Sequence, residues 1–179
     1  IPGGSRNKYE LDHETGQIYL DRMLFTATQY PADYGFIEGT LGGDGDPLDA
    51  LVFVGEPTFP GCRIHVRPVG VFVMRDAKGM AEQVLCVPLQ DPAWSHVQDL
   101  SDLLPTLLAE IEHFFAVYKD LEDEVTETDG FRDRDAEAAV AVRRARENRS
   151  AEVGLHRGAR HAPCSEGFHE DAAIRLLVV

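Results

Sequence analysis

Residues 42–54 read GGDGDPLDALVFV, an aspartate-rich loop that runs without a break into five apolar residues. Asp44, Asp46 and Asp49 are held close together by a backbone that Gly42, Gly43, Gly45 and Pro47 constrain. Like charges at that spacing push at least one carboxyl toward protonation unless a positive partner is present, and a hard divalent cation is the partner that suits oxygen ligands. The run from Ala50 to Val54 is continuously apolar, which suggests a buried strand. A helix-flanked calcium loop does not fit, because its ligand, glycine and glutamate positions here hold Leu48, Asp49 and Gly55. Taken alone, the aspartates also suit an ordinary Asp/Gly/Pro turn between two strands.

Outward from this loop, the first half of the chain reads as β-structure. NKYELD (7–12) and QIYLDR (17–22) flank HETG, whose Gly16 suits a hairpin turn. RIHVRPVGVFVMRD (63–76) predicts a long or bent strand in which Pro68 marks an edge or a break. QVLCVPL (83–89) predicts another, joined to it by the turn DAKGMAE (76–82). The second half turns helical. Leu104, Leu107, Leu108, Ile111, Phe114, Phe115 and Tyr118 follow helical spacing, with Pro105 in the first turn. DRDAEAAVAVRRARENR (133–149) predicts a second helix. From Ser150 the composition becomes irregular, so residues 150–179 are expected to form a poorly ordered C-terminal tail on a domain of residues 1–149. Short strands followed by helices indicate an α+β fold with a small barrel as its closed form.

A chain of 179 residues, 44% apolar and 27% charged, suits one domain with a sizeable core. Its net charge of −14 argues against nucleic acid or an anionic membrane surface as partner, since both need positive potential. It is compatible with carboxylates held against metal. Cys62, Cys86 and Cys164 are odd in number and lack metal-site spacing, so they read as reduced thiols of a cytoplasmic protein. The opening residues do not read as a signal peptide, and no apolar run has the length of a membrane span.

Residues suited to phosphate are dense around the loop. They are Lys8 and Tyr9 beside Glu10, then Arg22, Tyr30 and Tyr34, and later Tyr118 and Lys119. Arginine offers a fork to phosphate oxygens, lysine a point charge and tyrosine a hydroxyl donor. Each has an ordinary surface or core reading when taken singly. In this order, RNKYELDHETGQIYLDR, YPADYGFI, DGDPLDALV, RPVGVFVMRD and HFFAVYKDLE resemble the soluble family I inorganic pyrophosphatases, from Ile1 to about Asn148. The resemblance implies an OB-like five-stranded β-barrel flanked by two main helices, assembling as a homo-oligomer (a hexamer in bacteria). It also implies Mg2+-dependent hydrolysis of inorganic pyrophosphate to two phosphates. On the family pattern Asp44, Asp49, Asp76 and Glu10 match metal-facing carboxylates, and Asp46 matches the general base beside the attacking water. Lys8, Arg22, Tyr34, Tyr118 and Lys119 match phosphate-binding positions.

Two positions depart from that pattern. Ala81 stands where the family carries a further metal-binding aspartate, and Gln83 where it carries a phosphate-binding lysine. Glu82 or Lys78 would compensate if the turn slipped in register. The segment DEVTETDGF (123–131) is acidic where the family is basic, with Phe131 in place of a tryptophan. These departures leave a second reading open: a catalytically weakened or repurposed homologue that binds metal and phosphate, or acts on another phosphoanhydride. A plain calcium-binding barrel is a third, disfavoured by the loop spacing.

Overall fold

The computed structural model describes residues 1–41, 46–76, 79–122, 125–133 and 174–179. Along the chain come strands β1 (Asn7–Leu11), β2 (Ile18–Met23), β3 (Asp33–Ile37), β4 (Asp49–Val52), β5 (Arg63–Asp76) and β6 (Gly79–Pro88). Helix α1 (Pro105–Val117) follows, then β7 (Glu127–Asp133) and β8 (Ile174–Val178).

β1 and β2 form the expected hairpin. Its turn is fixed by the Asp12 carboxylate, which accepts the backbone N–H of Glu14 at 2.8 Å and of Thr15 at 3.2 Å. Gly16 takes φ 69°, the left-handed conformation in which a Cβ is penalised.

The other strands close on themselves. β3 pairs with β4, β4 with β6 in parallel, β6 with β5, β5 with β8 and β8 with β3, making a five-stranded barrel. β5 serves two neighbours on one edge. Its first residues pair with β8, and those from Gly70 onward pair with β7. The register shifts between Pro68 and Gly70, where proline cannot donate to the ladder.

Alternation along the strands sorts side chains between two cores. Ala50 and Val52 of β4, with Val84 and Cys86 of β6, pack with Val66, Leu176 and Val178 in one cluster. Leu51 and Phe53, with Leu85 and Val87, belong to the other, beneath Ile111, Phe114 and Phe115 of α1. Burial on both faces is why these strands read as continuous apolar runs.

The α+β class and five-stranded barrel agree with the sequence reading, and three expectations change. QVLCVPL is the second part of a longer strand that begins at Gly79. Asp133, expected to open the second helix, instead ends β7, and residues 134–149 lie outside the described residues. The poorly ordered tail does not hold for its last residues. Ile174–Val178 form β8, a wall of the barrel with Leu176 and Val178 buried, while 150–173 lie outside the described residues. Strand pairing with β3 and β5, both more than a hundred residues away in sequence, is what orders this end.

Candidate active site

A cleft of about 450 Å³ opens between the β1–β2 hairpin, the barrel and the end of α1. The strand positions that line it continue the row that α1 covers. Asp49 precedes Leu51 on β4, Ala81 and Gln83 precede Leu85 on β6, and Met74 and Asp76 follow Phe72 on β5. Side chains on one strand face repeat every second residue, so the row buried under α1 becomes the floor of the cleft where the helix ends.

Lys8, Glu10, Arg22, Tyr34, Asp46, Asp49, Asp76, Tyr118 and Lys119 all line this cleft. Asp44 lies outside the described residues. Hairpin register explains part of the convergence, since Lys8 is the direct partner of Arg22. Tyr118 caps the C-terminal end of α1 and carries Lys119 to the rim, where its Nζ lies 3.6 Å from Asp76 Oδ2 and 5.6 Å from the centre of the Tyr118 ring. The DGDPLD loop is tied down at its exit. Thr40 Oγ1 accepts the Leu48 N–H at 3.0 Å and donates to the Ile37 carbonyl at 2.7 Å, so Asp49 enters β4 on a fixed frame.

Each basic side chain of the cleft meets a carboxylate. Lys8 is bonded to Glu10 and lies 3.7 Å from Asp21. Arg22 is bonded to Asp21 and to Glu122, and the Glu122 bond leads in raising the guanidinium above its ordinary range. Tyr34, half-buried at the cleft, is pushed well above the usual phenol value, first by burial and then by the Asp49 charge, to which its hydroxyl donates. Burial likewise pushes Tyr118 up to about 12, against the opposing effect of Lys119. Tyr34 therefore spends its donor on a carboxylate, a positioning contact for Asp49 that the sequence did not suggest.

Glu122 was not anticipated as a site residue. Its side chain is only 7% exposed, and it grips Arg22 from a hundred positions away, a pairing for which the sequence carries no local signal. His13 was also missed. It lines the cleft from the hairpin turn, its ring 5.8 Å from that of Phe36.

Pairing of β5 with β6 places the two altered positions and Glu82. Ala81 faces Met74 across the ladder and Gln83 faces Phe72, both on the cleft row. Glu82 pairs with Val73 and shares the alternate row with Val84 and Cys86, so it does not substitute for an acid at position 81. Lys78 lies outside the described residues. Gln83 is 3% exposed, and its Nε2 donates to Asp49 Oδ2 at a long 3.4 Å.

Among the described residues no three His, Cys, Asp or Glu side chains are grouped tightly enough to hold an ion unaided. Mg2+ does not require that. It keeps several waters and commonly takes one or two carboxylates plus phosphate oxygens, which Asp46, Asp49 and Asp76 on one cleft suit. No helix among the described residues is long and apolar enough to cross a membrane.

The family model for inorganic pyrophosphatase matches residues 1–149 of the chain. An inorganic pyrophosphatase of Leifsonia xyli is 62% identical over 122 residues, covering 68% of this chain and 75% of its own. The solved inorganic pyrophosphatase of Thermus thermophilus superposes with a TM-score of 0.81 at 43% identity, covering 84% of this chain and 87% of that one. That of Helicobacter pylori gives a TM-score of 0.81 at 40% identity, over 84% and 89%.

Proposed function

The chain belongs to the inorganic pyrophosphatase family, and from that membership we propose that it hydrolyses inorganic pyrophosphate to two phosphates in this cleft, with Mg2+ as its metal. The observation that carries the reading is the meeting, in one cleft, of acidic side chains with Lys8, Arg22, Tyr34, Tyr118 and Lys119. An anionic substrate and a cation of opposite charge need such a mixed site.

Asp46, exposed on the loop, takes a proton from the attacking water at its carboxylate. Lys8, Arg22 and Lys119 exchange their carboxylate partners for phosphate oxygens, and the Tyr118 hydroxyl donates to the same group as charge develops. Asp44, Asp49, Asp76 and Glu10 would hold the metal, with Tyr34 and Gln83 orienting Asp49. When bound, Mg2+ supplies positive charge to the phosphate oxygens and makes water a better nucleophile near neutral pH. The protein acts in the cytoplasm as a homo-oligomer, with a catalytic domain that takes strand β8 of its barrel from the end of the chain.

Phosphate release from pyrophosphate in the presence of Mg2+ is the direct test. Release well above the uncatalysed rate, abolished by chelation, is expected; no release from protein with bound Mg2+ would overturn the reading. A second reading, a weakened homologue, is favoured by Ala81 and by the absence of compensation from Glu82. The Ala81→Asp, Gln83→Lys double variant separates the two. A gain of about two orders of magnitude or more identifies a weakened natural site, on the scale of losing one electrostatic contact to the transition state.

A further inference from the structure

Gln83 has a half-used amide. Its Nε2 donates to Asp49 Oδ2, while its Oε1 is buried with no hydrogen-bond partner among the described residues. A buried carbonyl left unpaired is costly, so this one calls for a donor from the cleft that Gln83 lines. The opposite amide orientation would set Oε1 against the Asp49 carboxylate, acceptor facing acceptor, so Asp49 itself fixes which atom is left over. Ala81, next on the same row, adds only a methyl group and supplies no donor.

The proposed reaction brings two solutes into this cleft. Ionised phosphate oxygens are acceptors and are repelled by Oε1. The water shell of a divalent cation is a source of donors. We infer that Gln83 is a positioning residue for the divalent cation and not a contact for the phosphate: its N–H aligns Asp49 and its carbonyl accepts from the cation's water shell. This rests on the metal-dependent reading above. Because the amide is neutral, Asp49 keeps its full charge for the cation, which a lysine at position 83 would cancel in part.

The test is calorimetric titration of the substrate-free protein with Mg2+, comparing wild type with Gln83→Met, which keeps the volume and removes both polar atoms. Mg2+ affinity is expected to fall about tenfold, the usual effect of removing a group that orients a metal ligand. KM for pyrophosphate at saturating Mg2+ should stay unchanged. An unchanged Mg2+ affinity, or a raised KM at saturating Mg2+, would overturn the inference. Since Mg2+ binding is read without pyrophosphate, a wild-type protein that binds Mg2+ but does not hydrolyse pyrophosphate defeats only the proposed function.

Discussion

Asp46 and Asp49 come from one short loop, yet the structure treats them differently. Asp49 enters β4, half-buried and held by Tyr34 and Gln83, whereas Asp46 stays exposed on the loop at the cleft. A carboxylate fixed by two donors suits a lasting ligand role, and one facing solvent suits exchange of protons with water. Asp46→Asn is therefore expected to lower kcat by about 100- to 10,000-fold, the usual contribution of a general base, with KM little changed. Its melting temperature should not fall, because the substitution removes one like charge from an acidic loop. Steady-state kinetics and a thermal melt check both parts, and an unchanged kcat would assign proton transfer elsewhere. At this scale the sequence was most informative, because the residue types themselves name the chemistry. Partners were harder to read. Glu122 against Arg22 and Tyr34 against Asp49 are products of folding, and neither pair has a spacing that helical or strand periodicity could reveal.

Elements were legible where their pattern is local. The hairpin, the strand over 63–76 and helix α1 follow from turn residues, apolar runs and helical spacing. β3, β7 and β8 were not anticipated, each for a physical reason. β7 is acidic and, among the described residues, pairs with β5 alone, so its charged residues face water and mask its strand character. β8 is a short apolar run after irregular sequence, and only its distant partners make it a strand. β3 carries Gly35 at its centre, which reads as a turn until the neighbouring strand is seen. A Cβ at Gly35 would lie 1.9 Å from the carbonyl oxygen of Leu177, so β8 can approach only a glycine. Gly35→Ala must displace backbone, and a loss of about 3 kcal/mol in urea unfolding is expected, at the upper end of overpacking costs. Gly70→Ala is a useful contrast, since the atoms nearest its Cβ belong to the Leu100 side chain, at 2.4 Å, and a side chain can rotate away. A smaller loss, about 1 kcal/mol, is expected there. Equal losses would mean that β8 is not seated against β3 as described.

Over the whole molecule, the cleft and the core under α1 are joined by tyrosines. Tyr30 packs against Tyr34 at 5.3 Å and Phe114 at 4.9 Å, and Phe114 stacks on Tyr118 at 5.1 Å. Burial is the leading cause that raises the phenol of each tyrosine, well above the ordinary value for Tyr30 and Tyr34 and to about 12 for Tyr118. The sign follows from proton binding. Above about pH 10, the unfolded chain releases these phenolic protons while the native protein retains them, so stability falls as pH rises. Below about pH 10 both states hold the protons, and the phenols contribute no slope. Each such group costs up to about 1.4 kcal/mol per pH unit through the window, which for Tyr118 closes near 12. Urea unfolding between pH 8 and 11 should give a decline that begins near pH 10, with tyrosinate absorbance from the buried rings appearing together with unfolding. Tyr30→Phe, which removes a buried hydroxyl and keeps the ring packing, should make the decline shallower. A decline of equal steepness in that variant would place the alkaline limit in other groups. Because Tyr34 also holds Asp49 and Tyr118 stands beside Lys119, loss of the cleft's geometry should track the same transition and not precede it.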